Sequence, residues 1–253
     1  MEVIENTNKT AIEFDHEKWN ELQKAYSVPT VEKMEIIVPL LESEECKDFF
    51  LNKSILDTGC GPGHIAKTLA EKYPIKGYLG IDNSANAIEY ARQQRIDAVD
   101  SDANINFVRG NILSLPIKEN SFDTALSINV IPTITSSKEV SDSFCGIFQS
   151  LRNNGSLLLI VMNEGAIKKG GDGNNLKNSI LEETENYIKH NLSLKKVDGT
   201  YLNIPADICW RTDYIKKELE LAGFTISHVE ELGNETLRPL LYIHCKKVEK
   251  NRK

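Results

Sequence analysis

One stretch carries more chemistry than the rest of the chain: Ile55-Leu56-Asp57-Thr58-Gly59-Cys60-Gly61-Pro62-Gly63-His64. A short apolar run ends in a carboxylate, glycines follow at every second position, and His64 opens a helix. Glycine at that spacing removes the Cβ atoms that would hold a ligand off the backbone. The unpaired N–H groups of the first helical turn then lie beside that ligand. A tight strand-to-helix turn of this kind cradles nucleotide-like molecules in α/β proteins. The dinucleotide fingerprint G-x-G-x-x-G needs its third glycine where His64 stands, and Asp57 would repel the pyrophosphate. A carboxylate there attracts a cationic ligand instead. A glycine-rich turn that binds nothing is the remaining alternative, and the residues downstream count against it.

The elements that must hold this loop follow from the apolar patterning. Residues 1–15 read as loosely ordered. Residues 16–52 read as helical, with Trp19, Leu22 and Tyr26 on one face and Met34, Ile37, Leu40 and Leu41 after Pro29, so that 1–52 form an N-terminal cap ahead of a main domain at 53–253. Strands are predicted at 54–58, 77–81, 105–108, 122–128 and 156–162, with helices at 64–73, from Ser84 onward and at 140–151. Ser84 is a ready N-cap. Asp97, Asp100 and Asp102 mark an exposed acidic loop. The run Leu157-Leu158-Leu159-Ile160-Val161 suits a central strand buried on both faces. A last helix starts at Trp210-Arg211-Thr212 and stops at Gly223, and strands follow at 225–230 and 237–246. Strand and helix alternate, which implies α/β architecture with a doubly wound parallel sheet. Residues 163–209 form an insertion with an amphipathic stretch (Leu176, Ile180, Thr184, Tyr187, Ile188), a hairpin signal at Asp198-Gly199 and a mobile tip at 168–175.

Composition narrows the partners. The 253 residues carry a net charge of −7, and a pI near 5.4 argues against a nucleic-acid backbone as the main partner. The basic cluster Lys246, Lys247, Lys250, Arg252 and Lys253 reads as a solvated end. Five scattered cysteines without a C-x-x-C pair point to free thiols, no metal site and a reducing, cytoplasmic setting. No window approaches a membrane span.

From about Trp19 to Val248 the chain resembles the class I S-adenosylmethionine-dependent methyltransferases, of the type that acts on small molecules. The resemblance implies a Rossmann-like, seven-stranded, mostly parallel sheet with a C-terminal antiparallel hairpin. It also implies S-adenosyl-L-methionine as cofactor and S-adenosyl-L-homocysteine as product. Asp57, Gly59, Cys60, Gly61, Gly63 and His64 match the family's glycine-rich loop. Asp82, with Asn83, matches the acid that takes both ribose hydroxyls, which a carboxylate can accept at once. Asn111 and the N–H of Ile112 stand where the family reads adenine, although an acid is usual at Asn111. Asn129 opens the segment beside the methyl acceptor. The following Val130-Ile131 departs from the Asn/Asp-Pro-Pro-aromatic run of enzymes that methylate nucleic-acid bases. Arg109 and Asp123 read as supports of strand ends.

In this fold an acceptor pocket forms above the carboxyl ends of the strands. Trp19, Tyr26, Tyr201 and Trp210 are candidates to line it, against the plainer reading that these aromatics are packing. Methyl transfer needs mainly in-line positioning and exclusion of water. His16, Glu164 and Asp213 lie where a base could act, and no spacing singles one out, so the catalytic residue stays open. The alternatives are a protein or tRNA methyltransferase, a non-catalytic S-adenosylmethionine-binding regulatory module and, furthest off, a nicotinamide oxidoreductase.

Overall fold

The central strands are apolar on both faces, so they must be covered on both sides. In the computed structural model, residues 31–115, 117–163, 179–195, 201–233 and 240–248 are described. Strands β1 (Ser54–Thr58), β2 (Gly77–Asp82), β3 (Asn104–Arg109), β4 (Phe122–Ile128) and β5 (Leu151–Met162) lie in one sheet with β9 (Phe224–Leu232) and β10 (Leu240–Lys247). Their order is β3-β2-β1-β4-β5-β10-β9. Strand β10 runs against both its neighbours, and the other six strands share one direction. This is the doubly wound, seven-stranded sheet with a terminal antiparallel hairpin that the sequence predicts.

Alternation along β1 builds the two cores. Ile55 faces one side, with α1 (Val31–Leu41), α2 (Lys47–Phe50), α3 (His64–Lys72) and α4 (Ala85–Gln93). Leu56 faces the other, with α5 (Ser137–Ser150) and α6 (Thr212–Leu221). Helix α3 buries Ile65, Ala66, Leu69 and Ala70, the 3.6-residue stripe that fits a sheet face. Ser84 caps α4 as expected, its Oγ accepting the Ala87 N–H at 3.2 Å. Gly155 marks the true start of the β5 ladder. Pairing with β4 jumps from Leu151 to Ser156, and a Cβ at Gly155 would lie 2.8 Å from the Arg152 carbonyl.

The described part of the amphipathic stretch is folded as strands, β6 (Ser179–Glu183) and β7 (Tyr187–Lys195), which form a second antiparallel sheet with β8 (Tyr201–Trp210), while Leu176 lies outside the described residues. Between β6 and β7 the Thr184 hydroxyl accepts the N–H groups of Asn186 and Tyr187, a side-chain turn that reverses the chain. One expectation changes, at the basic end. Lys246 and Lys247 are part of β10, and the Lys247 ammonium donates to the carbonyls of Phe148 (3.0 Å) and Leu151 (2.7 Å) at the end of α5. A cation is favoured at that carbonyl-rich terminus. The hairpin residues Asp198-Gly199, the tip at 168–175 and residues 249–253 lie outside the described residues; β7 and β8 pair antiparallel on either side of 198–199. No helix among the described residues is long and apolar enough to cross a membrane.

Candidate active site

Strand order reverses between β1 and β4, and at such a switch point the carboxyl ends of the strands diverge into a crevice. The glycine loop enters it from β1, and Asn129-Val130 enter it from β4. Asn129 adopts φ +55°, a left-handed turn that asparagine tolerates, and its N–H donates to the Ile160 carbonyl at 2.7 Å. The turn drops Val130 onto Gly59.

The three loop glycines, all at positive φ, then divide the work. A Cβ on Gly59 would overlap the Val130 Cγ2 methyl, and one on Gly63 would sit 3.1 Å from Ala91 and the Phe107 ring. These two glycines let protein pack on protein. At Gly61 (φ +52°) a Cβ would meet nothing within 4 Å. Gly61 is therefore the point where the loop presents bare backbone to open space.

Asp82 completes that surface. Its carboxylate accepts the Gly61 N–H and the Ser84 N–H, both at 2.9 Å, so it ties the loop to the end of β2. Burial raises its pKa, and the N–H groups of Ser84, Gly61 and Asn83 oppose that rise. Acceptor capacity remains on the carboxylate for a further donor. Neighbouring Asn83 is exposed, and its carbonyl accepts from Arg109 Nε at 3.1 Å, the strand-end support expected of Arg109. Asp123 does similar work at the other end of the sheet: it accepts the Ser54 N–H and pairs with Arg152 at 2.8 Å.

Asp57 lies deeper, 1% exposed. One of its oxygens accepts the Tyr78 hydroxyl from β2, and the other, Oδ1, has no hydrogen-bond partner. Burial, then the nearby charge of Asp82, pushes its pKa up to about 7 against the pull of the Tyr78 hydrogen bond. Tyr78 went unread in the sequence. Its signal was a hydroxyl-bearing side chain in a buried strand, which needs a partner.

The remaining candidates scatter more. The Cys60 thiol is buried beneath Gly80, and its N–H joins that of Gly59 on the Ile81 carbonyl. His64 opens α3 with Nε2 buried and unpartnered, and burial, then Lys67, lowers its pKa. Asn111 is exposed at the end of β3 and caps the 3-10 turn Ile112–Ser114, its Oδ1 accepting the Leu113 N–H at 2.9 Å. Its amide NH₂ is the group left for a base edge, and half-buried Ile112 packs on the second core. Trp210 is 4% exposed. It stacks on Tyr214 at 5.0 Å, and its indole N–H donates to the Ile134 carbonyl. That is a pin between the small sheet and the β4 side of the crevice. Tyr201 starts β8, distant in register from Trp210, and Trp19, Tyr26, His16 and Glu164 lie outside the described residues. Asp213 is exposed in the first turn of α6. Shallow grooves beside Leu115 and Cys145, and beside Phe148 and Leu221, involve none of the loop residues.

Bare backbone at Gly61, an acid bridging it to β2 and a buried carboxylate oxygen without a donor fit a ligand that offers hydroxyls and a cation. They do not fit a pyrophosphate.

The comparisons agree with that geometry. A curated relative, 2-phytyl-1,4-naphtoquinone methyltransferase from Nostoc sp., is 42% identical over 71 residues, 28% of this chain and 31% of the relative. Fatty-acid O-methyltransferase from Mycolicibacterium smegmatis is 27% identical over 104 residues, 36% of each chain. The matches thus span about a third of these relatives. An S-adenosylmethionine-dependent methyltransferase from Clostridium acetobutylicum shares the fold with a TM-score of 0.63 at 15% identity, over 92% of this chain and 99% of that one. The profile described as a methyltransferase domain matches residues 50–223. By that match the chain belongs to the methyltransferase-domain family, within the class I S-adenosylmethionine-dependent methyltransferases.

Proposed function

We propose that this protein transfers a methyl group from S-adenosylmethionine to a small-molecule acceptor. The observation that carries the reading is the Gly61–Asp82 link, which sets open backbone and a carboxylate side by side at the switch point. In this reading Asp82 accepts the ribose hydroxyls, Asn111 and the Ile112 N–H meet adenine, and Asp57 faces the ammonium of the methionine part. When bound, the cofactor supplies an electrophilic methyl group on a sulfonium. The protein's part is to orient and to exclude water: Val130 closes the loop from the β4 side, and Trp210 fixes the small sheet next to it. No described residue stands out as a general base.

A small-molecule acceptor is supported by the acidic charge, by the departure at Val130-Ile131 and by the acceptors in the names of the two curated relatives. Residues 1–52 as a cap and 163–209 as a lid complete the proposal. The free cysteines fit a reducing, cytoplasmic setting. S-adenosylhomocysteine should raise the melting temperature, and NAD should not. A shift with NAD alone would reject the cofactor assignment. Labelled methyl groups offered with a metabolite extract should enter small molecules; label found only in macromolecules would reject the acceptor class.

A further inference from the structure

The Asp57–Tyr78 pair is the feature the cofactor site leaves unexplained. Tyr78 is paired in register with Ile55, two residues before Asp57, so its hydroxyl reaches diagonally along the sheet to the carboxylate. It is 2% exposed. Directly opposite Asp57 stand Gly80 on β2, which has no side chain, and Leu126 on β4, which is apolar. Among the described residues the titratable groups that act on the carboxyl are Tyr78 from β2, Cys60 from the loop and Asp82 at the end of β2, and no cation is among them. An ionised carboxylate in such a place is costly until a cation or donor reaches it. Tyr78 supplies one hydrogen bond, and Oδ1 receives none.

We propose that Tyr78 is a positioning residue: it occupies one oxygen of Asp57 and reserves the other for the cofactor's ammonium, whose binding expels the carboxyl proton to solvent. The proposal rests on the cofactor reading above and adds a regulation to it. Before binding, Asp57 holds a proton through the acid range, which removes the buried charge although Oδ1 still lacks a partner. The incoming ammonium stabilises the carboxylate, so that proton leaves and binding tightens as pH rises. With the carboxyl half-ionised at about pH 7, affinity for S-adenosylhomocysteine should rise about thirtyfold from pH 5.5 to 8 and then level off.

Calorimetric titration of the full chain across this range, in buffers of different ionisation enthalpy, reads both the affinity and the released proton. S-adenosylhomocysteine is the test ligand. Methylthioadenosine, which keeps adenine and ribose but lacks the ammonium, is the control and should show a flat profile. Asp57→Asn should flatten the profile for S-adenosylhomocysteine. Tyr78→Phe, which removes one oxygen atom from the core, should move the rise to higher pH, weakening binding several-fold at pH 7 and much less at pH 8.5. A purely structural role for Tyr78 predicts equal weakening at every pH, and that result would overturn the proposal. A flat wild-type profile, or the same slope with methylthioadenosine, would overturn it while leaving the cofactor reading intact. No binding of S-adenosylhomocysteine at any pH would instead reject the cofactor reading, and this proposal with it.

Discussion

Two buried titratable side chains, on opposite flanks of the same sheet, are treated in opposite ways. Asp57 on β1 has one partner and one orphan oxygen. His244 on β10 has every polar atom engaged: Nδ1 lies 2.7 Å from the Ser227 hydroxyl and Nε2 lies 3.3 Å from that of Ser156. The Phe49 ring covers it at 4.4 Å. Burial holds His244 neutral, with its pKa lowered to about 4. A buried polar group closed by its own chain is finished structure, because nothing is gained by a further donor. One left half-closed has its missing partner elsewhere. In the function proposed above, the β1–β2 end is completed by the cofactor, whereas the β9–β10 end is closed by its own side chains.

The sharpest test of that contrast is binding. Asp82→Ala removes the acceptor of the two proposed ribose hydrogen bonds and frees the N–H groups of Gly61 and Ser84. At about 1.5–3 kcal/mol for each charged hydrogen bond, affinity for S-adenosylhomocysteine should fall about a hundredfold or more. His244→Gln should change that affinity less than about twofold. A comparable loss in both variants would erase the distinction between the two ends.

Within the loop, the same logic separates two glycines. Gly59→Ala drives a methyl into Val130 at φ +84° and should lower the melting temperature most. Gly61→Ala carries only the left-handed strain of about 1–2 kcal/mol, so it should melt nearer the wild type and yet bind S-adenosylhomocysteine at least about tenfold more weakly. Replacing Val130 with alanine in the Gly59→Ala background should recover part of the stability. No recovery would place the strain elsewhere than against β4.

The two buried groups also predict opposite pH slopes for stability. Asp57 has a raised pKa in the folded chain, so its contribution is present below the unfolded value of 3.8 and fades as pH rises toward about 7. His244 has a lowered one, so its contribution is present above 6.5 and fades as pH falls toward about 4. Without cofactor, Asp57→Asn should therefore melt higher than wild type above pH 7 and match it near pH 4. His244→Gln should flatten the loss of stability between pH 6.5 and 4.5. Melting curves at half-unit pH steps read both. A single shared slope would show that neither group governs it.

The difference between the two ends also decides what the sequence could reveal. The loop and Asp82 are legible because alternate glycines and an acid at a strand end stand out as residue types, although the Gly61–Asp82 contact itself spans 21 residues. Ser84 as a cap is legible because its contact is local. His244 is not, since Ser156 stands 88 residues away and meets it only when β10 slots between β5 and β9. Val130 over Gly59 depends likewise on the switch point. Tyr78 hides inside an apolar strand, where a phenol counts as hydrophobic until its hydroxyl is placed. Residues 180–188 carry apolar side chains at a spacing that suits a helix face and a twisted hairpin alike. Only pairing with β8 settles the matter. Trp210 advertises itself as a pocket aromatic, but in the fold its indole N–H is committed to a backbone carbonyl.

The smallest predicted effect belongs to the completed end. Lys247 reaches from β10 to three oxygens, those of Asn120, Phe148 and Leu151, and its ammonium lies 4.7 Å from the centre of the Phe148 ring. The carbonyls at the end of α5 lack helical partners, and a cation satisfies them and opposes the helix dipole. Partial exposure to solvent weakens these attractions, so Lys247→Met should cost about 1 kcal/mol, or about 2–4 °C in melting temperature. Affinity for S-adenosylhomocysteine should not change, because the cation acts on the flank opposite the glycine loop. A loss of binding at unchanged melting temperature would mean that the β9–β10 end is coupled to the cofactor site.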